Sequence, residues 1–178
     1  MERPAGARLI AILARHPPVR VAGGVCYGRL DVPCRDDGEA SALAARIAAH
    51  RPAAVWSSPS LRCRAVAEAV GLAVGFDARL LELDFGAWEG VAWDDISRAL
   101  LDAWAKDPLG FAAPGGETGA ALLARVREVA ADLRASPGPV AVVSHGGPLR
   151  LLGPLLRGEP PDLLRPAPAL GSIELVSW

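Results

Sequence analysis

The most constraining feature of this sequence is an apolar run at residues 9–14 that ends on Arg15 and His16. Polar and apolar residues do not alternate in the run, which predicts a strand covered on both faces within a parallel sheet. Pro17 and Pro18 follow, and because prolines cannot continue a central strand, we predict that it ends there. Ligands of open α/β sheets bind at the carboxyl ends of strands, so the Arg-His pair is a candidate site. By itself, the pair also fits an exposed loop arginine beside a capping histidine.

The composition is typical of one globular domain, which we place over the whole chain, residues 1–178. Hydrophobic residues make up 51% of the chain, and the formal net charge of -1 argues against a nucleic-acid partner. No apolar run approaches the roughly 20 residues of a membrane span, and residues 1–4 do not begin a signal peptide. The three cysteines have no metal-ligand spacing and fit a reducing compartment. We therefore expect a soluble, cytoplasmic protein with no membrane partner.

Strand and helix patterns alternate along the rest of the chain, which predicts an α/β fold with a largely parallel sheet. Apolar runs predict further strands over residues 53–58, 73–76, 140–144 and 172–178. Helical periodicity predicts helices over residues 37–50, 59–70, 93–106, 117–135 and 149–156. Ser58 is predicted to cap the second of these helices, with Pro59 at its first position. Residues 17–36 and 82–92 are predicted to be loops, and the first is long enough to suggest a function.

Reactive or cationic side chains follow three of the predicted strands. His16 follows the first strand, Ser58 ends the second with Arg62 just beyond it, and His145 follows the strand that precedes two glycines. Because these strand ends meet at one edge of a parallel sheet, we expect the side chains to converge. Arginine binds two oxygens of a phosphate at once, and helix N-termini add N–H groups. The sequence therefore predicts a phosphate-sized anion site at this edge.

Five short motifs then occur in an order that resembles the histidine phosphatase superfamily, which has the phosphoglycerate mutase-like fold. They are Arg15-His16, Ser57-Ser58-Pro59 with Arg62, Glu82 ahead of Phe85-Gly86-Ala87-Trp88-Glu89-Gly90, Pro114-Gly115-Gly116-Glu117, and His145-Gly146-Gly147. The resemblance implies a three-layer α/β/α sandwich with a mostly parallel central sheet. The segment at residues 26–33 is similar to a loop of the α-ribazole phosphatases, which suggests α-ribazole 5′-phosphate as the substrate.

The resemblance implies a metal-independent phosphomonoesterase that acts on a small phosphorylated metabolite and needs no cofactor. His16 would attack phosphorus and form a phosphohistidine, since neutral imidazole is available near pH 7. Glu82 would protonate the leaving oxygen and then activate water against the phosphoenzyme. The resemblance also implies residues that hold the phosphoryl group: Arg15, Arg62, His145 and Gly146. Arg29 and Arg150 are further candidate contacts with the substrate.

Several of these residues have a plainer interpretation. Arg62 alone fits a surface position on a helix, and His145 alone fits the end of a strand. Glu89 competes with Glu82 for the role of the acid, with Asp84 also nearby. The family order favours Glu82, whereas spacing alone does not choose between them. Three arginines of the long helix are interpreted as a solvated face: Arg125, Arg127 and Arg134.

The chain departs from the family at Pro17, Pro18 and Val19, where members usually carry Gly, a polar residue and then Thr or Ser. Each proline lacks a backbone N–H, and the valine lacks a hydroxyl, so we expect a phosphate pocket that is built differently. Two other functions stay open: a phosphoglycerate mutase-like transferase, and a phospholigand-binding protein with a degraded site. Mutases of this fold are usually longer, so the compact chain favours hydrolysis.

Overall fold

Over residues 10–178, the part of the chain that this computed structural model describes, strands and helices alternate as predicted. The strands are β1 (Ile10–Arg15), β2 (Ala54–Ser57), β3 (Val74–Phe76), β4 (Val140–Ser144) and β5 (Ile173–Ser177). The α-helices are α1 (Asp37–Ala49), α2 (Leu61–Ala69), α3 (Arg98–Lys106), α4 (Gly119–Ala135) and α5 (Gly146–Arg157). Short 3₁₀ turns lie at Ala78–Leu80, Gly86–Trp88 and Trp93–Asp95. The expectations placed on Leu9 and on residues 1–4 fall outside the described residues.

The five strands form one sheet in the order β3-β2-β4-β1-β5. β4 lies at the centre and pairs in parallel with β1 and β2, and β3 adds a further parallel strand beside β2. Every residue of β4 is buried, which accounts for its uninterrupted apolar sequence. β5 runs antiparallel along the other side of β1. The predicted α/β fold with a mostly parallel sheet is therefore confirmed.

Helices cover both faces of the sheet and complete the three layers that the resemblance implies. Ala11 and Leu13 of β1 pack with side chains of α4 and α5, whereas Ile12 and Ala14 pack with α1 and α2. Side chains alternate between the two faces of a strand, so one apolar run contributes to both cores. Within residues 10–178, no helix is long and apolar enough to cross a membrane.

The start of α2 differs from the prediction. The helix begins at Leu61 rather than at Pro59, and Ser60, not Ser58, is its N-cap. The first N–H of the helix, on Leu61, donates to Oδ1 of Asp31 at 2.8 Å, so the cap comes from a loop distant in sequence. A local pattern could not reveal this partner. Ser58 is thereby left out of the helix, with its hydroxyl at the strand end.

Other helix starts also differ from the predictions. α5 begins at Gly146, earlier than predicted, because Pro148 in its first turn needs no hydrogen-bonded N–H. The predicted helix over residues 93–106 is divided into a 3₁₀ turn and α3, and α4 begins at Gly119 after the cap Thr118. The earlier start of α5 matters most, since it brings the free N–H groups of a helix end to the carboxyl end of β4.

A third apolar cluster lies apart from the two cores and is built mainly from the connection between β3 and α4. We call its five rings the aromatic cluster: Phe85, Trp88, Trp93, Trp104 and Phe111. Trp88 is only 4% exposed and lies at the centre, with Trp93 and Trp104 edge-on to it and Phe111 stacked on it. The cluster gives a long connection an apolar core of its own.

Candidate active site

The carboxyl ends of β1, β2 and β4 lie side by side because these strands are neighbours in the sheet. His16 follows β1 and His145 follows β4, and their ring centroids are 5.2 Å apart with the ring planes at 65°. The backbone N–H of His16 donates to the carbonyl of Ser144 at 3.1 Å, and that of Ser58 donates to the carbonyl of Val143 at 3.0 Å. These bonds fix the three strand ends to one another. The structure thus brings together the side chains that the sequence places after these strands.

His16 is held as a neutral ring with one defined tautomer. Its Nδ1 lies 2.8 Å from the carbonyl oxygen of Pro17. A carbonyl can only accept, so Nδ1 carries the proton and Nε2 keeps its lone pair. The side chain is 2% exposed, and burial together with the nearby charge of Arg62 lowers the pKa of His16 to about 3. The departure from the family at Pro17 therefore still supplies a carbonyl that orients the ring.

Arg62 is fully buried, so the interpretation as a surface residue is wrong. Its Nη1 donates to the carbonyl of Leu30 at 2.9 Å and its Nη2 to the carbonyl of Gly28 at 2.6 Å. Its Nε donates to Nδ1 of His145 at 3.2 Å. These three bonds leave two of the five guanidinium N–H donors for a ligand. Arg62 therefore joins the loop after β1 to the histidine after β4.

His145 has no exposed surface and holds the tautomer opposite to that of His16. Because the Nε of Arg62 can only donate, Nδ1 of His145 accepts and Nε2 carries the proton. Nε2 lies 2.8 Å from the hydroxyl of Ser58. Burial, followed by the charge of Arg62, holds the pKa of His145 well below its ordinary value. Both ring nitrogens are thus hydrogen bonded within the protein.

Arg15 lies against the start of α5. Its Nη1 donates to the carbonyl of Pro168 at 2.5 Å, while its buried Nε has no partner among the described residues. A Cβ on Gly146 would lie 3.1 Å from the Cζ of Arg15, so the glycine lets the guanidinium approach the helix end closely. An arginine and a helix N-terminus so close together form an anion-binding arrangement.

Glu82 accepts hydrogen bonds at the same helix end. Both of its carboxyl oxygens lie 3.1 Å from the N–H of Gly147, and Oε1 also accepts from the N–H of Leu83 at 2.9 Å. A Cβ on Gly147 would lie 2.2 Å from Oε1 of Glu82, so only glycine allows this approach. The motif that begins with Glu82 therefore meets the motif His145-Gly146-Gly147 in space, because the carboxyl group of Glu82 accepts from the backbone of Gly147.

Glu89, the competing candidate for the acid, accepts backbone hydrogen bonds with both of its carboxyl oxygens. Its two carboxyl oxygens accept four N–H groups, three from residues 28–30 and one from Phe85, at 2.8–3.0 Å. Burial opposes ionisation, but these four bonds hold the pKa of Glu89 below its ordinary value. Asp84 is used in the same way, accepting from the N–H of Gly86 at 2.8 Å. Glu89 thus orders a loop, whereas Glu82 lines the cavity described below.

Arg125 does not belong to a solvated face; that interpretation is wrong for this residue. Its side chain is 14% exposed and donates to the carbonyls of Arg79 and Leu81, both at 2.6 Å, and of Glu82 at 3.0 Å. Its Nε and Nη2 also pair with the two carboxyl oxygens of Glu117 at 2.7 and 2.9 Å. Arg125 therefore fixes the backbone that carries Glu82. No sequence spacing would have indicated carbonyl partners more than 40 positions away.

Arg29 reaches the same place from the loop after β1. Its Nε donates to the carbonyl of Glu82 at 2.8 Å, and its Nη2 lies 3.5 Å from Glu117. The side chain does not line the cavity described below, so the structure does not place Arg29 in contact with a substrate. Arg29 and Arg125 together hold one carbonyl, and the carboxylate of Glu117 lies beside both guanidinium groups.

A cavity of about 470 Å³ opens at this edge of the sheet. Glu89 and His145 do not line the cavity. Among the described residues, no group of three or more His, Cys, Asp or Glu is placed to hold a metal ion. The polar part of the cavity is lined by Arg15, His16, Tyr27, Arg62, Glu82, Gly146, Gly147 and Arg150.

Known proteins share both the sequence pattern and the fold. The family described as the histidine phosphatase superfamily (branch 1) matches residues 11–178. Glucosyl-3-phosphoglycerate phosphatase of Mycobacterium tuberculosis is 30% identical over 97% of this chain and 84% of its own. Phosphoserine phosphatase 1 of Hydrogenobacter thermophilus is 29% identical over 79% of this chain and 72% of its own.

Solved structures agree with these sequence matches. The native structure of a mycobacterial glucosyl-3-phosphoglycerate phosphatase superimposes with a TM-score of 0.81 at 27% identity, covering 96% of this chain and 91% of that one. Its complex with VO3 superimposes with a TM-score of 0.82, covering 95% and 92%. The chain therefore belongs to the histidine phosphatase superfamily, as its five ordered motifs predicted.

Proposed function

We propose that this protein hydrolyses a small phosphate monoester through a phosphohistidine formed on Nε2 of His16. The tautomer of His16 carries the proposal. The carbonyl of Pro17 holds the proton on Nδ1, and burial keeps the ring neutral, so Nε2 presents a lone pair at the polar end of the cavity. Two arginines lie beside it to offset the charge of a phosphoryl group.

The reaction has two displacements in which the atoms balance. In the first, Nε2 of His16 bonds to phosphorus, the bond from phosphorus to the leaving oxygen breaks, and Glu82 in its acid form protonates that oxygen. In the second, water attacks phosphorus, the P–N bond breaks, and the carboxylate of Glu82 takes a proton from the water. Phosphate leaves, and both side chains return to their starting states.

The phosphoryl oxygens are bound by the remaining polar lining of the cavity. Arg15 and the two free donors of Arg62 provide positive charge, and the N–H of Gly146 at the start of α5 adds a backbone donor. His145 does not line the cavity and acts through its neighbours, since it accepts a hydrogen bond from the Nε of Arg62 and packs edge-on against His16. Its part is to fix the nucleophile and the principal cation in one geometry.

Substitution of His16 by alanine tests this proposal. The matched control is His50→Ala, because His50 is exposed and does not line the cavity. With a labelled phosphate ester and EDTA present, the unmodified protein and His50→Ala should form an acid-labile phosphoenzyme after rapid quenching. His16→Ala should form none and should lose several orders of magnitude in turnover. A labelled phosphoenzyme in His16→Ala, or turnover near normal, would contradict the assignment.

The substrate is identified by a panel of phosphate esters. The relatives are named for glucosyl-3-phosphoglycerate and phosphoserine, and the segment at residues 26–33 predicts α-ribazole 5′-phosphate. Arg62 and Glu89 hold the backbone of that segment, and its Tyr27 lines the cavity. The ester with the highest kcat/KM at equal enzyme concentration is taken as the best substrate.

A phospholigand-binding protein is the second candidate, and the two prolines after His16 favour it. Neither Pro17 nor Pro18 can donate a backbone N–H to phosphate. A protein of this kind would bind inorganic phosphate or vanadate but release no phosphate from any ester in the panel. Burst kinetics with stoichiometric phosphoenzyme would exclude it.

A further inference from the structure

The cavity has two chemically different ends. Its charged lining residues, among those the structure describes, are Arg15, Arg62, Glu82 and Arg150. Arg15 ends β1, Arg62 lies in the first turn of α2, and Glu82 accepts a hydrogen bond from the N–H of Gly147 at the start of α5, so these three lie at the phosphate end. Arg150 lies one turn further along α5 and donates to the carbonyl of Leu163. The apolar part of the lining includes a group that we call the apolar wall: Val25, Leu83, Phe85, Trp93, Trp104 and Leu164.

The rings of the apolar wall are fixed by their neighbours. Trp93 and Trp104 are parallel to within 5°, with centroids 6.1 Å apart, and Phe85 lies edge-on to both at 5.6 and 5.7 Å. Behind them, Trp88 is buried and packs against both tryptophans. The wall is therefore a preformed surface, which a ligand would not have to order at its own entropic cost.

This apolar surface remains open to the cavity. Leu164, at the rim, is 68% exposed, and the rings of Phe85, Trp93 and Trp104 are only partly buried. An apolar surface that lines a concave site gains free energy when an apolar ligand covers it. A carboxylate placed against the rings of Phe85, Trp93 and Trp104 would lose water without gaining a cation, since the cation–π contacts of the described residues involve other rings.

We propose that the alcohol released from the preferred substrate is uncharged and apolar or aromatic, and that it packs against the apolar wall. The inference rests on the proposed phosphatase function and adds the class of leaving group to it. It sets this chain apart from relatives named for phosphoserine and glucosyl-3-phosphoglycerate, both of which are carboxylated compounds. Specificity would then reside in the connection between β3 and α4 and in the rim at Leu164.

Two aryl phosphates that differ in one charge test the proposal: 2-naphthyl phosphate and its 6-carboxylate. We expect kcat/KM to be about 30-fold higher for 2-naphthyl phosphate, whose leaving group is uncharged, than for the 6-carboxylate. Trp104→Ala should lower kcat/KM for 2-naphthyl phosphate about tenfold and so reduce the ratio between the two esters. Equal values for the two esters, or preference for the carboxylate, would overturn the proposal.

A substitution at an exposed position gives a second test, in which kcat/KM is expected to rise and the result does not depend on core packing. Leu164→Arg places a cation at the rim and should raise kcat/KM for the carboxylated ester about tenfold. Leu72→Arg is the matched control, since Leu72 is 44% exposed and does not line the cavity. If both substitutions change the ratio of kcat/KM between the two esters equally, the effect comes from net charge, and the apolar wall does not select the substrate.

Calorimetric binding separates this inference from the proposed function. The phosphonate analogues of the two naphthyl esters cannot be hydrolysed, so their dissociation constants report recognition alone. Tighter binding of the phosphonate without the carboxylate, together with no turnover of any ester, would contradict the proposed phosphatase function and support the preference for an uncharged group. Turnover with equal binding of both phosphonates would keep the phosphatase and reject the preference.

Discussion

The two ends of the active-site cavity are built in different ways. At the phosphate end, Arg15, His16 and Arg62 follow a strand or begin a helix, so the central sheet fixes their positions, and Glu82 is the exception because it lies in the connection between β3 and α4. At the apolar wall, the side chains come from connections that are held in place by Glu89, Arg125 and the aromatic cluster. The difference indicates that the chemistry depends on the sheet, whereas substrate choice depends on loops that can change without altering it.

Substitution of Arg62 should produce the largest effect, because this residue serves both the phosphoryl site and the loop after β1. Arg62→Met removes a cation from the phosphoryl site and leaves the carbonyls of Gly28 and Leu30 and the Nδ1 of His145 without their donor. We expect kcat/KM to fall about 10³–10⁵-fold and the free energy of unfolding to fall by about 3 kcal/mol. Steady-state kinetics and urea unfolding measure the two losses. A loss of activity alone would show that Arg62 does not support the loop.

The two glutamates should then separate chemistry from loop order. Glu82→Gln keeps the shape but cannot donate a proton, so turnover of an alkyl phosphate should fall about 10²–10⁴-fold, and that of an aryl phosphate with a good leaving group much less. Glu89→Gln should instead lower the free energy of unfolding by about 2 kcal/mol, because four charge-assisted bonds are weakened. If leaving-group dependence appears in Glu89→Gln and not in Glu82→Gln, the assignment of the acid is reversed.

The same division explains which features could be predicted from sequence. Residues at strand ends, such as His16 and His145, were predictable because apolar runs locate strands and parallel topology makes their carboxyl ends converge. The choice between Glu82 and Glu89 was not, because it depends on which backbone N–H groups each carboxylate meets. The helix start at Leu61 and the role of Arg125 could not be predicted for a related reason. Asp31 caps the helix from a distant loop, and Arg125 donates to backbone carbonyls far away in the sequence.

Acid should destabilise the phosphate end before it affects the loops. The pKa of His16 is about 3 in the folded protein and about 6.5 in the unfolded chain, so between these values the unfolded chain binds the extra proton. Stability is therefore retained above pH 6.5 and lost as the pH falls below it, by about 2 kcal/mol at pH 5 for one histidine. His145 acts in the same direction. Glu89 and Glu117, whose pKa values are lowered, begin to contribute only near their ordinary pKa values, at lower pH.

Urea unfolding between pH 7.5 and 5 measures this loss. His16→Gln should make the dependence less steep, since glutamine does not titrate and the contribution of His145 remains, while His50→Gln, at an exposed position, should leave it unchanged. An unfolding free energy that is independent of pH over this range would show that the two buried rings are not kept neutral by folding.

The smallest expected effect tests whether loop residues act on the chemistry only through Glu82. Arg125→Met removes one of two donors to the carbonyl of Glu82 and the partner of Glu117. We expect kcat for an alkyl phosphate to fall about tenfold with little change in KM, because a displaced acid reduces the rate without weakening phosphate binding. Arg127→Met, exposed on the same helix, is the matched control.

A double-mutant cycle decides how Arg125 acts. If it only positions Glu82, the substitution Arg125→Met should have no further effect on kcat in a Glu82→Gln background, where no acid remains to be positioned. Full additivity of the two losses would instead show that Arg125 supports the fold of the whole connection. The loops would then contribute to catalysis as well as to substrate choice, and the division between the two ends of the cavity would fail at this residue.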